Sequence, residues 1–559
     1  MNANLTTSKS GALARLTRPV FSAALLPALL LLCAVRPSQA GSATWKVSPA
    51  NGDWNTANHW TPQTVPNGPS DTATFATSSK TAISLSDVVE VNGVAFNSGA
   101  SAFTITVPFG LTLTLSGVGI TNNSGITQNF VTTEDNFSSI IFSNSASAGS
   151  ATSFTTASGG GGIFFNDTST ASTGVFTVNG PGQLFFNGTA TAGSGTFTIN
   201  SSESFRGSLF FNDSSTAGTG VFTLNGNGIA AECYFQGAST SAANSLFTIN
   251  GADSANHGNG FVLFNAGATA AGATLIANSG LNGGSGGQIF FVDTSTGGTA
   301  RVEVFGDGTG DSTNGLLDIS QRPAPGVTIG SVEGNGLVNL GNNNLTVGSN
   351  NLSTTFSGII KEGGIASLAK TGKGKFTLSN ANTYSGGTTV TKGTLLVKNK
   401  TGSATGTGAV QVNAGTLGGT GKISGAVTVG TTTAAGILAP GTGSKPGTLT
   451  LLSTLTFNSS ATFQVDFNST KVKTDKVSAK GVTINSGAQF SFTDHGAGTP
   501  PIGAIFTLIN DTAGTPIAGT FANLPDGSTF TEKGNNYQAS YEGGTGNDLT
   551  LTVVPPPAN

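Results

Sequence analysis

The chain is poor in charged residues, in sulfur and in the larger aromatic side chains. Only 9% of its 559 residues are Asp, Glu, Lys or Arg, and it contains two cysteines, three histidines, three tryptophans and four tyrosines. Sparse positive charge disfavours nucleic acid and anionic membrane surfaces as partners. The chain is rich instead in glycine, with 82 residues, and in phenylalanine, with 36. Because its apolar residues recur with a period of two, this composition indicates ordered β-strands rather than disorder.

The first 40 residues have the features of a signal peptide. Basic residues precede an apolar run at 20–35, and small residues occupy positions 38 and 40, where a signal peptidase recognises them. We therefore predict cleavage between Ala40 and Gly41, and export. The leader removes four basic and no acidic residues, so 19 basic and 26 acidic residues remain, a net charge of −7. No later segment is long and apolar enough to span a bilayer.

A two-part sequence motif recurs between residues 140 and 305. Its first part is a short apolar segment such as Ile-Phe-Phe-Asn, and its copies begin at Ile163, Leu184, Leu209, Cys233, Val262 and Ile289. Its second part is Phe-Thr-apolar-Asn, with copies at Phe176, Phe197, Phe222 and Phe247. Successive copies lie 21 to 29 residues apart. Two short strands at this period predict a β-solenoid of about 18 coils.

The second strand of each copy is predicted to build internal ladders. Phe176 and Val178 share one face of the strand, and Thr177 lies on the other. Stacked coils then place equivalent Phe side chains above one another. The strands end in Asn179, Asn200, Asn225, Asn250 and Asn278. Asparagine tolerates positive φ, and its amide can bond to the copy above, so we assign these residues to coil corners.

The first strand predicts a candidate binding stripe on the outer face. Ile163 and Phe165 share a face, so Phe164 points the opposite way. The equivalent positions form the column Phe164, Phe185, Phe210, Tyr234, Leu263 and Phe290. If exposed, the column would be an apolar stripe of about 25 Å, a size typical of an interaction surface. The simpler interpretation, which we favour, is that a neighbouring loop or a flattened corner covers it.

The three tryptophans lie near the start of the mature chain, at Trp45, Trp54 and Trp60, before a turn-rich stretch. An open solenoid end exposes unpaired strand edges, so an aromatic-rich irregular segment is expected to cap it. Sugar binding by the tryptophans is the alternative.

The segment after residue 337 changes its pattern. It contains Leu368-Ala369-Lys370-Thr371-Gly372, Lys375-Phe376-Thr377-Leu378, Asn380-Ala381-Asn382-Thr383-Tyr384-Ser385-Gly386-Gly387-Thr388-Thr389-Val390 and Gly393-Thr394-Leu395. This pattern resembles the autotransporter-associated β-strand repeat of passenger-type proteins. Segments that look like the same family follow at 415–421, 438–441, 446–449, 519–527 and 541–549.

The resemblance implies a right-handed, pectin-lyase-like parallel β-helix, exported by a Gram-negative-type bacterium to the extracellular space, the cell surface or the outer membrane. The strands of a translocator barrel do not follow the closing motif in this sequence. We therefore expect a passenger-type protein without its own C-terminal translocator barrel.

The predicted organisation has six parts. They are a signal peptide (1–40), an N-terminal cap with the first coils (41–135), a Phe-rich array (136–336), a β-helix containing the repeat at 368–397 (337–460), a C-terminal β cap (461–554) and a Pro-rich tail (555–559).

Residues that could carry chemistry are sparse. Between 151 and 300 the one basic residue is Arg206, whereas a lyase of this shape needs a base beside carboxylates. Asp167, Asp213 and Asp293 follow the first strand at the same register and so belong to the repeat. The histidines at 59, 257 and 495 have no metal-ligand spacing and are expected in solvated loops. Glycine-rich acidic segments at 306–311 and 543–548 are interpreted as turns rather than calcium sites.

The sequence therefore predicts no catalytic residue, no cofactor and no bound metal. We expect a secreted, non-catalytic scaffold or adhesin-like passenger protein whose candidate partners are a surface polysaccharide or another surface protein. The alternative is a polysaccharide-binding protein, or a lyase or hydrolase, on a β-helix fold.

Overall fold

A computed structural model describes residues 41–133, 137–157, 159–308 and 310–556. The predicted leader, including Ala40, lies outside the described residues. The described chain is almost entirely short β-strands, with 3₁₀ turns at Ala57–His59 and Asp311–Thr313. Successive strands stack mostly in parallel, so the predicted all-β parallel solenoid is confirmed, with about 18 turns.

Two long sheets run along the solenoid. The first contains, in spatial order, Trp60–Thr61, Ala43–Trp45, Gly68–Phe75, Val89–Phe96, Thr112–Asn122, Ser139–Phe142, Gly162–Phe165, Gln183–Phe186, Ser208–Asn212, Ala231–Gln236, Gly260–Asn265, Gln288–Phe291, Leu316–Asp318, Leu337–Asn339 and Ile359–Lys361. The second contains Ala82–Ser84, Thr104–Val107, Gln128–Thr132, Thr152–Thr156, Val175–Asn179, Thr196–Asn200, Val221–Asn225, Leu246–Ile249, Thr274–Ala277, Arg301–Val304, Ser331–Gly334, Thr354–Phe356, Lys375–Leu378, Thr394–Val397, Gly415–Gly419, Gly436–Pro440, Thr462–Asn468 and Gln489–Asp494, with Lys473–Thr474 paired antiparallel to Thr462–Asn468. Each coil contributes one strand to each sheet through most of the solenoid.

A third side completes the coil. In the Phe-rich part it is a column of single bridges, such as Thr170 to Thr191 and Thr191 to Thr216. Farther along, the third side becomes a sheet of Gly326–Ile329, Asn344–Val347, Ser367–Lys370, Thr388–Val390, Val410–Val412, Val427–Val429, Leu455–Phe457 and Val482–Ile484.

A fourth sheet takes over the position of the first after residue 422. Its strands are Lys422–Ile423, Thr448–Leu451, Lys476–Ala479, Ile505–Asp511, Asp548–Val554, Asn535–Gly543 and Thr529–Glu532. The last three strands pair antiparallel, unlike the coils before them.

Two internal aromatic ladders fill the centre of the Phe-rich coils. Phe176 and Phe197 stack with ring centroids 4.9 Å apart, as the strand pattern predicted. On the opposite sheet, Phe165 and Phe186 stack at the same distance. The two ladders meet edge to face, with 5.7 Å between the centroids of Phe165 and Phe176. Both arrangements are favourable aromatic geometries. The stacked rings connect each coil to its neighbours, and the edge-to-face contacts connect the two sheets across the core.

The corner asparagines form the predicted ladder of side-chain amides. Asn200 Nδ2 donates to Asn179 Oδ1 at 3.0 Å, and Asn225 Nδ2 donates to Asn200 Oδ1 at 2.9 Å. The amide links therefore confirm the structural assignment. These asparagines do not adopt the positive φ that Asn tolerates; the left-handed conformation occurs instead at Asp167, Asp213 and Asp293, in the turn after the first strand.

The three tryptophans are buried in one aromatic cluster. Trp60 lies between Trp45 and Trp54, with centroid distances of 5.0 Å and 5.1 Å. Their indole N–H groups donate to the backbone oxygens of Lys80, Pro66 and Trp54. Side chains with almost no exposed surface cannot offer a ring face to a sugar, so the cluster is part of the core.

The first sheet ends at Ile359–Lys361, just before the segment at 368–397. Between the strands Lys375–Leu378 and Thr388–Val390, the Asn382 side chain takes the place of a strand. Its Oδ1 accepts from the backbone N–H of Ile360 at 2.7 Å, and its Nδ2 donates to the carbonyl oxygen of Ala404 at 2.6 Å. One amide thus joins the coil before it to the coil after it.

Candidate binding groove

The predicted stripe lies on the outer face of the first sheet. Its six side chains are half-buried, while their neighbours along the strands, such as Ile163 and Phe165, are fully buried. Adjacent strands hold the stripe in exact register, from Phe164 beside Phe185 to Leu263 beside Phe290. Ile141 extends it by one coil, and it ends at the polar residues Thr114 and Asp318.

The first four rings of the stripe stack on one another. Phe164 and Phe185 are 4.9 Å apart with an interplanar angle of 1°, and Phe185 and Phe210 are 4.7 Å apart at 10°. Tyr234 continues the stack at 5.4 Å from Phe210. Since each inner ring face contacts a neighbour, the stack presents mainly ring edges to solvent.

A groove of about 560 Å³ runs beside the stripe. Its floor contains Ser139, Gly162, Gln183 and Ser208, which precede the stripe residues by two positions on the same strands. Its walls include Phe164 and Phe210 on one side and, on the other, the loop at 201–207. No pattern in the sequence predicted this groove.

The loop at 201–207 presents Phe205 at the groove. The Phe205 side chain is 53% exposed and lies outside the stacked rings of the stripe. Two hydrogen bonds hold the turn that carries it: the Ser202 N–H donates to the Phe205 carbonyl oxygen, and the Phe205 N–H donates to Ser202 Oγ. The exposed ring is therefore on a locally fixed backbone.

One ion pair belongs to the groove. The Arg206 guanidinium contacts the Glu232 carboxylate, which is 7% exposed, whereas the arginine side chain is 54% exposed. The same charge acts on Tyr234: burial raises the pKa of the phenol, and the Arg206 charge partly offsets that increase. The isolation of Arg206 in the sequence was the one signal that could have drawn attention to this loop.

Gly162 allows the Phe164 ring to lie over the floor of the groove. A Cβ atom built on Gly162 would come within 2.4 Å of Cε2 of Phe164. Any larger residue at 162 would displace that ring.

The other predicted chemical residues are dispersed through the fold. His59 is buried, and its Nδ1 lies 2.8 Å from the Asp53 carbonyl oxygen, so the expected solvated position was wrong for this histidine. His257 pairs with Asp253, and His495 Nε2 lies 3.0 Å from Asp466 Oδ1. Within the described ranges, no three His, Cys, Asp or Glu side chains are grouped so that they could hold a metal ion.

The repeat acids and the glycine-rich acidic turn bind the backbone. Asp167 Oδ2 accepts from the Asn144 N–H, and Asp213 Oδ2 accepts from the Gly188 N–H, both at 2.8 Å. Asp548 Oδ1 accepts from the Asp511 N–H at 3.0 Å. These contacts are those of structural carboxylates at turns.

A buried lysine lies at the corner of the segment with the changed pattern. Lys370 Nζ donates to the carbonyl oxygens of Thr371, Gly372 and Lys392, and burial lowers its pKa to about 8. Gly393 adopts a positive φ of 71°, and a Cβ atom there would lie 3.0 Å from this nitrogen. The glycine therefore leaves the space that the ammonium group occupies.

Residues 368–397 match the family model described as the passenger-associated-transport-repeat. The predicted resemblance is confirmed for this segment, and the surrounding β-solenoid fits an autotransporter passenger-type repeat protein. No curated protein matches the chain. A passenger repeat within a β-solenoid indicates a scaffold of the exported type. In the part of the chain that the structure describes, no helix has the length and hydropathy needed to cross a bilayer.

Proposed function

We propose that this protein is a non-catalytic extracellular scaffold that acts by presenting the outer face of its solenoid at the cell surface. The observation that carries the proposal is the passenger repeat at 368–397, which is built into the second long sheet and the third side of the coil. In these two sheets its strands pair in register with the coils on both sides. The repeat is thus a structural unit of the solenoid, as a scaffold role requires.

The arrangement of titratable groups supports a non-catalytic role. The histidines at 257 and 495 each pair with one nearby aspartate, and the repeat acids hold backbone N–H groups. General acid–base chemistry needs a group that is free to exchange a proton with a bound substrate. Of the described residues that line the groove, Glu232 is the one acid, and its carboxylate contacts Arg206.

Export and surface exposure are tested together. The full chain is followed in the bacterium that encodes it, where any separate translocator is present, and intact cells are treated with protease and probed with an antibody to the solenoid. We expect surface-exposed protein, and we expect the Leu30→Arg/Leu31→Arg variant, with charges in the apolar run of the leader, to stay inside the cell. Wild-type protein retained in the cytoplasm would disprove the proposal.

The absence of catalysis has its own assay. Purified protein is incubated with neutral and acidic polysaccharides, and reducing ends and unsaturated products are measured. We expect no product above a heat-denatured control. Product formation that disappears in a Glu232→Gln/Arg206→Gln variant of normal thermal stability would instead establish the enzyme alternative.

Polysaccharide binding is the second candidate function, and the groove beside the stripe favours it. Grooves of this size with aromatic walls and a few polar groups are typical of ligand sites. A binding role for Phe164, Phe185, Phe210, Tyr234, Leu263 and Phe290 stays a prediction.

A further inference from the structure

We infer that the groove between the Phe164 stripe and the Phe205 loop binds a neutral polysaccharide chain lying across the strands. This inference rests on the proposed function, because only an exported protein meets such a polymer outside the cell. It adds the chemical class of the partner and the direction in which that partner lies.

The direction follows from strand pairing. The strands at the groove, Ser139–Phe142, Gly162–Phe165, Gln183–Phe186 and Ser208–Asn212, are each paired on both sides. An extended peptide binds a sheet most readily by adding a strand at an open edge, and none is open here. The groove itself follows the paired residues Ser139, Gly162, Gln183 and Ser208 from strand to strand, so a ligand lying along it crosses the strands.

The repeat distance suits an extended glycan. A chain that crosses parallel strands meets equivalent side chains about every 4.8 Å. This spacing is close to the rise of one sugar residue along an extended β-linked polymer. Successive sugars can then meet successive coils in similar surroundings, which a ligand without a matching repeat could not do.

The lining matches the polar edge and the apolar C–H face of a pyranose ring. Ser139, Gln183 and Ser208 supply hydroxyl and amide groups on the floor, where sugar hydroxyls need partners. Phe205 supplies an exposed apolar ring for the C–H face of a sugar, and the edges of Phe164 and Phe210 form the opposite wall. An apolar ligand would leave the polar floor unsatisfied.

The charges in and near the groove favour a neutral polymer over an anionic one. Among the described residues, Arg206 and Glu232 are the charged ones that line the groove, and they pair with each other. This described lining therefore holds no unpaired cation to receive a uronate or a phosphate. The exposed carboxylates of Asp167 and Asp213, one turn beyond the stripe, would repel a polyanion.

The test measures binding of purified protein to neutral β-linked polymers, namely cellulose-, xylan- and β-glucan-derived oligosaccharides, with polygalacturonate and alginate as acidic probes. We expect at least one neutral series to bind, with affinity that rises with chain length. Binding should change little between about 50 mM and about 500 mM salt, because no ionic contact is involved. Preferential binding of the acidic probes, or of none, would overturn the inference.

Two variants locate the site. We expect Phe205→Ala and Gln183→Ala each to weaken binding about tenfold. Phe137→Ala is the matched control, since Phe137 is also an exposed aromatic side chain, at 69%, but does not line the groove. All three should keep the wild-type melting temperature. Binding that survives both groove substitutions would place the glycan elsewhere.

A second copy of this chain is the alternative occupant of the groove. If size-exclusion chromatography with light scattering shows a dimer that Phe205→Ala dissociates, the groove is an interface between two copies and the glycan inference fails. A negative glycan result with a surface-exposed protein would disprove this inference alone. Retention inside the cell would disprove the scaffold proposal, whatever binds in vitro.

Discussion

The hydroxyl oxygen of Tyr384 lies 2.7 Å from Oγ1 of Thr388 inside the core of the passenger repeat. Both side chains are almost fully buried, and burial raises the pKa of the tyrosine far above its ordinary value. The pair joins the segment that replaces a strand to the first strand that follows it. It is therefore the most direct place to test whether the repeat contributes to the stability of the solenoid.

Removing one partner of this pair should destabilise the protein. Tyr384→Phe leaves the Thr388 hydroxyl buried without its partner, so we expect the free energy of unfolding to fall by about 1–3 kcal/mol. The double variant Tyr384→Phe/Thr388→Val removes both polar groups and should recover part of that loss. Urea titration of wild type, Tyr384→Phe, Thr388→Val and the double variant measures the coupling. Strictly additive losses would show that the hydrogen bond contributes nothing.

Asn382 should be more sensitive than its neighbour Asn380. Asn382→Ala removes bonds to the coils on both sides and leaves a buried backbone N–H and carbonyl unsatisfied, so we expect a loss of about 2–4 kcal/mol. Asn380 bonds only to the adjacent Ala381 N–H, and Asn380→Ala is the control. Equal effects of the two substitutions on the melting temperature would contradict the bridging role.

Serine substitutions in the outer stripe and in the inner Phe ladder should differ in their effect on stability. Phe165 and Phe211 are fully buried, so Phe165→Ser/Phe211→Ser should abolish cooperative folding or lower stability by more than about 5 kcal/mol. Phe164→Ser/Phe210→Ser acts on half-buried rings and should cost no more than about half as much. Thermal unfolding followed by circular dichroism compares them. A similar collapse in both would assign the outer stripe to the core.

Asp475 should make the C-terminal coils less stable as the pH rises. Asp475 is almost fully buried, and burial raises its pKa from 3.8 to about 7 in the folded protein. Two backbone N–H groups donate to its carboxylate and lower the pKa, but the effect of burial is larger. The folded state thus binds the proton more tightly. Its contribution to stability is complete below about pH 4 and is lost as the pH rises through about 7.

The measurement is the melting temperature of wild type and Asp475→Asn from pH 4 to pH 8. Because asparagine does not titrate, the difference between the two proteins should change across this range and be constant above about pH 8. Asp526→Asn, an exposed position, is the control. A pH-independent difference for Asp475→Asn would show that the carboxyl group titrates at its ordinary pKa.

Lys370 should have the opposite effect on the pH dependence of stability: the protein should become more stable as the pH rises, and at higher pH than for Asp475. Its pKa falls from 10.5 to about 8 on folding, so the unfolded chain binds the proton more tightly. Stability from this group is present above pH 10.5 and is lost as the pH falls through about 8. We expect wild type to gain stability relative to Lys370→Met between pH 8 and 10.5. Lys375, which is exposed on the adjacent strand, provides the control through Lys375→Met.

Much of the Phe-rich solenoid could be predicted because its copies repeat. The alternation of Phe176, Thr177 and Val178 gives the buried face, and aligned copies give the register with Phe197 and Phe222. The amide ladder follows from the same alignment, since one Asn falls above another. The left-handed backbone conformation does not follow from it, because that conformation falls on Asp167 in a different turn, the one after the first strand.

The groove could not be predicted, because one of its walls lies outside the repeated strands. Phe205 and Arg206 lie in a loop between copies, where length and composition differ from coil to coil. Their position beside Ser208 and Glu232 depends on the path of that loop. His59 is a similar case, because its burial comes from packing against Trp45 rather than from any local pattern.

The stacking of Phe186 between Phe165 and Phe211, at 4.9 Å from each, has a consequence for how such a protein can change during evolution. Each ring meets the same environment above and below, so duplication or loss of one whole copy in the gene would leave the packing of every remaining ring intact. The length of the outer stripe is then set by the number of copies, and a lineage could lengthen or shorten that surface without redesigning a single contact.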